Sequence, residues 1–284
     1  MPRPLPPNLL PALRIHPSLH ALDIPVQTWL DAHPSHHLLV SAVVSHSPRC
    51  FSAAEEEDGE EPRVLLLQRA STDSAPLVWE LPGGGCGFDE DDDSENETVL
   101  SAVAREMWEE TGLAARSIDG LVVPSVIDSR KGDGGTAAAA AAAAADDGWE
   151  FPEPEFGLPR EEGGGSGPTR RPLWRLLCFL VTVEVATPAS EGSEGGGVKS
   201  SGGDSGRSKV PLTDSPPPAV ELDPAEHCAF VWATEGDVKR GDCCGVKLEW
   251  GGGDQRKDVI LAGFRALREQ RLRTAAEEQK GRDH

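Results

Sequence analysis

The sequence predicts an α/β chain, and three observations predict it. Apolar runs at 38–44, 63–69 and 173–185 read as strands, and the last is the strongest in the chain. Val99, Leu100, Val103 and Met107 share one face at helical spacing, as do Ile260, Leu261, Phe264 and Leu267. Tracts without either period separate these segments, including an alanine run at 137–145 and a Gly/Ser/Pro-rich stretch at 188–218. The expectation is one globular domain over 37–272. Disordered low-complexity insertions are expected at about 86–96, 131–148 and 188–218, with a Pro-rich extension at 1–36 and a polar tail at 273–284.

Taken in order, the lead-in has one short helical candidate at 26–32, whose Trp29 and Leu30 should pack on the domain. The strand at 38–44 is followed by an acidic loop and the strand at 63–69, which ends on Arg69. Trp79-Glu80-Leu81 is short and extended, and Pro82 stops its ladder. Trp79 reads as core. Gly83, Gly84 and Gly85 permit close backbone approach. Ser94 and Glu97 have capping-box spacing, so the next helix is expected over about 95–111. Strands at 121–127 and 229–234 follow, and an amphipathic helix at 258–272 closes the domain.

Composition bounds the function. The chain has 284 residues, 31 Gly, 24 Pro and no Tyr, with a formal net charge of −21. That charge opposes binding to nucleic-acid backbone or an anionic membrane. No apolar run reaches the ~18 residues needed to span a bilayer. The start lacks the apolar core of a secretory signal, so an intracellular protein, cytoplasmic or nuclear, is expected. The six cysteines include no C-x-x-C pair and read as free thiols in a reducing compartment. The five histidines between His16 and His37 match no metal-site spacing and read as surface residues.

One stretch breaks local rules. Glu106, Glu109 and Glu110 crowd the end of the helix expected over about 95–111, at i,i+3 and i,i+4 spacings. Like charges so placed repel by roughly 0.2–0.5 kcal/mol per pair. They also stand just before Gly112, a C′ candidate, where the helix end carries partial negative charge. Arg105 and Glu109 pair in the weaker orientation. The carboxylates flank the apolar stripe rather than oppose it, which places them at the edge of the core. A solvated acidic face and a divalent-cation site are the two readings of such a cluster. The acidic run at 89–97 fails as a calcium loop, because Ser94 and Leu100 stand where glycine and a bidentate glutamate belong.

Trp79-Glu80-Leu81-Pro82-Gly83-Gly84-Gly85 together with Arg105-Glu106-x-x-Glu109-Glu110-x-Gly112-Leu113 resembles the Nudix hydrolase signature. The helical half matches without a gap, and Glu97 stands where the family has its first glutamate. The glycine half departs from the pattern: Asp91 occupies the family's glycine position, so 86–96 looks longer than usual. The resemblance implies an α/β/α sandwich around a mixed β-sheet. It implies hydrolysis of a nucleoside diphosphate linked to another moiety, with Mg²⁺ or Mn²⁺ as cofactor and a small-molecule nucleotide as substrate. Carried over by position, Glu106, Glu109 and Glu110 hold metal, with Glu106 and Glu109 also catalytic, Arg105 orients a glutamate, and Gly84 offers a backbone carbonyl. Glu97 is a second-shell group or a helix cap, and the cap is favoured slightly. Arg69 becomes a candidate phosphate contact, with a surface charge as its alternative. Glu153 or Glu155 could add a carboxylate. Glu226-His227-x-x-Phe230-x-Trp232 resembles a late strand of the family. The alternative is a Nudix fold that binds a ligand or regulates without catalysis.

Overall fold

The computed structural model describes residues 3–46, 61–87, 97–123, 149–151, 173–183, 217–251 and 255–282. The expected insertion at 131–148, all of that at 188–218 except its last two residues, most of 86–96, and Glu153 and Glu155 lie outside these residues.

The strands in chain order are β1 (Arg14–Ile15), β2 (His36–His46), β3 (Arg63–Arg69), β4 (Trp79–Glu80), β5 (Gly83–Cys86), β6 (Ala115–Val122), β7 (Trp149–Phe151), β8 (Leu173–Val183), β9 (His227–Thr234), β10 (Asp242–Cys243) and β11 (Val246–Lys247). The helices are α1 (Leu9–Ala12), α2 (Val26–Ala32), α3 (Val99–Thr111), α4 (Glu235–Arg240) and α5 (Gln255–Arg282). Parallel β2 and β8 form the spine of a mixed sheet, in register from His36–Leu173 to Val44–Val181. Both read as apolar runs because both faces are covered. Antiparallel β6 flanks β8, and β1 runs parallel to β6. On the other side, β2 pairs with β5 along its first half and with β3 at its end. Strand β3 carries β4 and β9. β10 and β11 make a separate hairpin.

The core divides along this sheet. On one face, Val40, Leu67, Leu177 and Phe179 pack against Val99, Leu100, Val103 and Met107 of α3 and Trp29 of α2. On the other, Val43, Leu66 and Leu180 pack against Ile260, Phe264 and Leu267 of α5. Helix, sheet and helix form the three layers of an α/β/α sandwich. Each large side chain so buried contributes roughly 1.5–3 kcal/mol.

The structure differs from the sequence reading at both ends and at the glycines. Residues 3–32 are more than a lead-in: Leu9, Leu19, Leu22 and Val26 are buried, and β1 joins the sheet. The last helix does not stop near residue 272 but continues to Arg282. Its second half has the composition of an exposed helix, in which Gln, Glu, Lys, Arg and Ala hold the backbone by propensity rather than by packing. Gly83–Cys86 is a strand, which the three glycines alone do not predict, because β2 offers it a ladder from Leu38 to Ser41.

Candidate metal centre

Helix α3 carries most of the centre, and both its ends are built for it. At the start, the Thr98 hydroxyl accepts the Ser101 N–H at 3.1 Å, and the Ser101 hydroxyl accepts the Thr98 N–H at 2.8 Å. This reciprocal box replaces the one expected from Ser94 and Glu97. At the other end Gly112 takes φ 67°, the left-handed C′ conformation. No basic residue of α3 lies in its last turn. Arg3 supplies the missing cation from far upstream: it donates to the Trp108 carbonyl at 3.0 Å and lies over the Trp108 ring. Residues 217–226 brace the same end, where the Glu221 N–H donates to the Thr111 carbonyl at 2.8 Å.

The carboxylates converge where α3 crosses β5. Glu106 and Glu110 are buried, at 9% and 4% exposure, and Glu109 is part-buried beside them. Gly84 lies directly under Glu106: a Cβ there would overlap the carboxylate, with its Cδ only 2.7 Å away. Glu110 accepts the Gly83 N–H at 2.7 Å through Oε2. Arg105 joins the group, donating to Glu106 and Glu109 at 2.9 Å each and to Glu97 at 2.7 Å. It also reaches the Gly85 carbonyl at 3.4 Å. Glu97 is thus a partner of Arg105 and not the helix cap.

One cation does not balance this cluster. Burial pushes the Glu106 carboxyl up to about 7, against the pull of Arg105. Burial raises Glu109 as well, again opposed by Arg105. Glu110 is held well above the carboxylate range by burial and then by the charges of Glu106 and Glu80, and the Gly83 N–H offsets only part of this. Burial alone would pull Arg105 down, but its bond to Glu97 and the surrounding charges keep it firmly protonated.

Two groups outside the helix join the centre. Glu226, on the turn before β9, adds its charge to Glu106, Glu109 and Glu110. Glu110, Glu226 and His227 each present a ligand atom, all within 4.8 Å of one another. The sequence marked the Glu226-His227 pair as family-like but gave no reason to bring it to α3. The brace at 217–226 does that, with the Asp223 N–H on the Glu110 carbonyl at 3.3 Å. Arg69 is engaged within the protein, at 2.6 Å from Glu80 and 2.7 Å from Asp73. Trp79 is core, at 1% exposure.

The residues present fit a divalent cation. Hard cations take carboxylate oxygens. Here the oxygens are buried, crowded and short of positive partners, and Gly84 leaves room for them.

Residues 48–135 match the family model of the NUDIX domain. No curated protein matches the chain. Among solved structures, the chain is similar to a MutT protein from Methanosarcina mazei Go1, at 15% identity over 82% of this chain and 95% of that one, TM-score 0.36. It is also similar to a C. elegans Ap4A hydrolase in a binary complex, at 14% identity over 82% and 98% of the two chains, TM-score 0.34. An ADP-ribose pyrophosphatase from Streptococcus suis matches at 14% identity over 82% and 92%, TM-score 0.32. Among the described residues no helix is long and apolar enough to cross a membrane. The span matched by the NUDIX domain model contains the glycine strand and the whole of α3 with its glutamates.

Proposed function

We propose that the chain is a divalent-metal-dependent hydrolase that cleaves the pyrophosphate bond of a nucleoside diphosphate linked to another moiety. One observation carries the reading: Glu106 and Glu110 are buried together with too little positive charge near them. A chain with no use for a cation would gain by replacing either. Mg²⁺ or Mn²⁺ suits this oxygen set: Glu106, Glu109 and Glu110 would hold it, with the Gly84 carbonyl as a further candidate ligand. When bound, such an ion neutralises charge on phosphate oxygens and makes a bound water more acidic.

The protein's own groups do the rest. Arg105 fixes the rotamers of Glu106 and Glu109 through two charge-assisted hydrogen bonds and is a positioning residue. Gly83 fixes Glu110. Glu106 and Glu109 are the catalytic candidates, and one of the glutamates, or a loop carboxylate, would take the proton of the attacking water.

The test is release of phosphate or nucleoside monophosphate from a panel of nucleoside diphosphate derivatives with Mg²⁺ or Mn²⁺, comparing wild type with Glu110→Gln. Metal-dependent turnover by wild type and a loss of at least about 100-fold in the variant are expected, the range seen when a key electrostatic group is removed. Equal turnover by both removes Glu110 from the mechanism. Nucleotide binding seen by calorimetry, with no product, would make the domain a ligand-binding module.

A further inference from the structure

His227 lies beside Glu110 and Glu226 at the edge of the glutamate cluster. It opens β9 at 2% exposure, and neither ring nitrogen has a hydrogen-bond partner. Buried polar groups are ordinarily satisfied, so an orphan imidazole calls for a ligand. The backbone fixes the ring in place. The His227 N–H donates to the Asp223 carbonyl at 2.9 Å, and the residue pairs with Arg69 where the β3–β9 register shifts. Its Nε2 faces Oε1 of Glu80 at 3.6 Å and Oε1 of Glu110 at 3.9 Å, too far for hydrogen bonds. The Glu80 oxygen is already taken by Arg69 at 2.6 Å. The Glu110 oxygen is not: Gly83 occupies Oε2 and leaves Oε1 turned toward His227.

We propose that His227 is the nitrogen ligand of a second divalent-cation position, completed by Glu110 and Glu226, which takes Mn²⁺ or a later transition-metal cation in preference to Mg²⁺. The proposal rests on reading the glutamates of α3 as a cation centre and names a ligand that those glutamates do not provide. The spacing suits it. Metal–nitrogen and metal–oxygen bonds of about 2.0–2.2 Å put donors on opposite sides of one ion at about 4.0–4.4 Å. The three ligand atoms lie within 4.8 Å. Glu226 is exposed on its turn and can close the remaining gap. The donor type sets the preference, because Mg²⁺ is held by oxygens and keeps its water, whereas imidazole favours transition metals. Glu110 would be shared with the glutamate centre, whereas Glu106 and Glu109 are bonded to Arg105.

The experiment is pulsed electron paramagnetic resonance of the full-length, metal-free protein titrated with Mn²⁺, beside Mg²⁺ and Mn²⁺ calorimetry. The wild-type spectrum should show modulation from a directly bound ring nitrogen. His227→Gln should abolish it and weaken Mn²⁺ binding about 10–100-fold, the scale on which a lost ligand-shell group is felt. Mg²⁺ binding should change less than about twofold, since oxygens alone hold it. Mn²⁺ bound through oxygen alone in the wild type overturns the assignment without any variant, and leaves the hydrolase reading standing. Nitrogen modulation that survives in a folded His227→Gln protein also overturns it. Failure of the wild type to bind either ion overturns both.

Discussion

Glu110 is the carboxylate with least to hold it. A single backbone N–H faces the repulsion of Glu106, Glu80 and Glu226 inside the core. Burial without compensation is a cost, so removing the charge should help the metal-free fold. Glu110→Gln keeps an acceptor for the Gly83 N–H. The metal-free variant should melt about 2–4 °C higher than wild type, corresponding to a gain on the order of 1 kcal/mol. It should also lose the rise in melting temperature that Mg²⁺ gives wild type. Scanning calorimetry with and without Mg²⁺ measures both, and a lower metal-free melting temperature would show that Glu110 is satisfied in a way the geometry does not show. Arg105 is the complementary case. Its planar fork reaches Glu97, Glu106, Glu109 and Gly85 at once. Lysine is a point charge and cannot span them. Arg105→Lys should leave α3 folded by circular dichroism yet weaken Mg²⁺ binding about 10–100-fold by calorimetry, because the glutamates lose their fixed orientation.

At the scale of elements, the glycine strand β5 has two adjacent glycines with different duties. Gly83 has φ 152°, and a Cβ there would press on the β2 backbone, 2.6 Å from the Ser41 Cα. Gly84 faces only the tip of the Glu106 side chain. Gly83→Ala should therefore destabilise the fold by about 1–3 kcal/mol, as a strained backbone position does. Gly84→Ala should cost less stability but turn Glu106 away and abolish the Mg²⁺-induced rise in melting temperature. Denaturant melts with and without Mg²⁺ separate the two outcomes, and an unchanged Mg²⁺ response in Gly84→Ala would detach that glycine from the centre. These elements also show what the sequence could reveal. Helix α3 was legible because its period, its acid cluster and its terminal Gly112 are local signals. β5 was not, because three glycines acquire strand geometry only when β2 offers them a ladder. The N-terminal segment read as an extension because its apolar residues, Leu9, Leu19 and Leu22, recur at no regular period. They bury against α3 and β6, which lie far along the chain. His227 was quoted in a family-like phrase, yet its meaning lies in Glu110, which comes near only through the brace at 217–226. The capping box was displaced because two boxes of similar spacing compete, and Thr98 is tied down by the bridge to Pro25.

At the scale of the whole molecule, the net charge of −21 is unevenly costly. Most of the described acidic groups are exposed or part-buried, but the centre holds Glu106 and Glu110 in the core, and this gives stability a distinctive pH dependence. Glu106 titrates near 7 in the folded chain against an ordinary value of 4.5. Between those values the folded state keeps a proton that the unfolded state has released. Stability then falls as pH rises, because the slope follows protons bound unfolded minus protons bound folded. The contribution is complete below about 4.5 and is lost as pH rises through about 7. Glu109 and Glu110 act in the same direction. Asp73, Glu235 and Asp237 are shifted down and act oppositely, but their contribution is lost only under more acidic conditions. Metal-free protein should therefore lose melting temperature steadily between about pH 5 and 7.5. Mg²⁺ binds the carboxylate form, so saturating ion should remove that decline, and Mg²⁺ affinity should rise up to about tenfold per pH unit below 7 for each proton released. Melting temperature against pH, with and without Mg²⁺, reads the effect directly. If metal-free protein is equally stable across that window, the carboxylates of α3 are already compensated, and nothing in the centre is waiting for a cation.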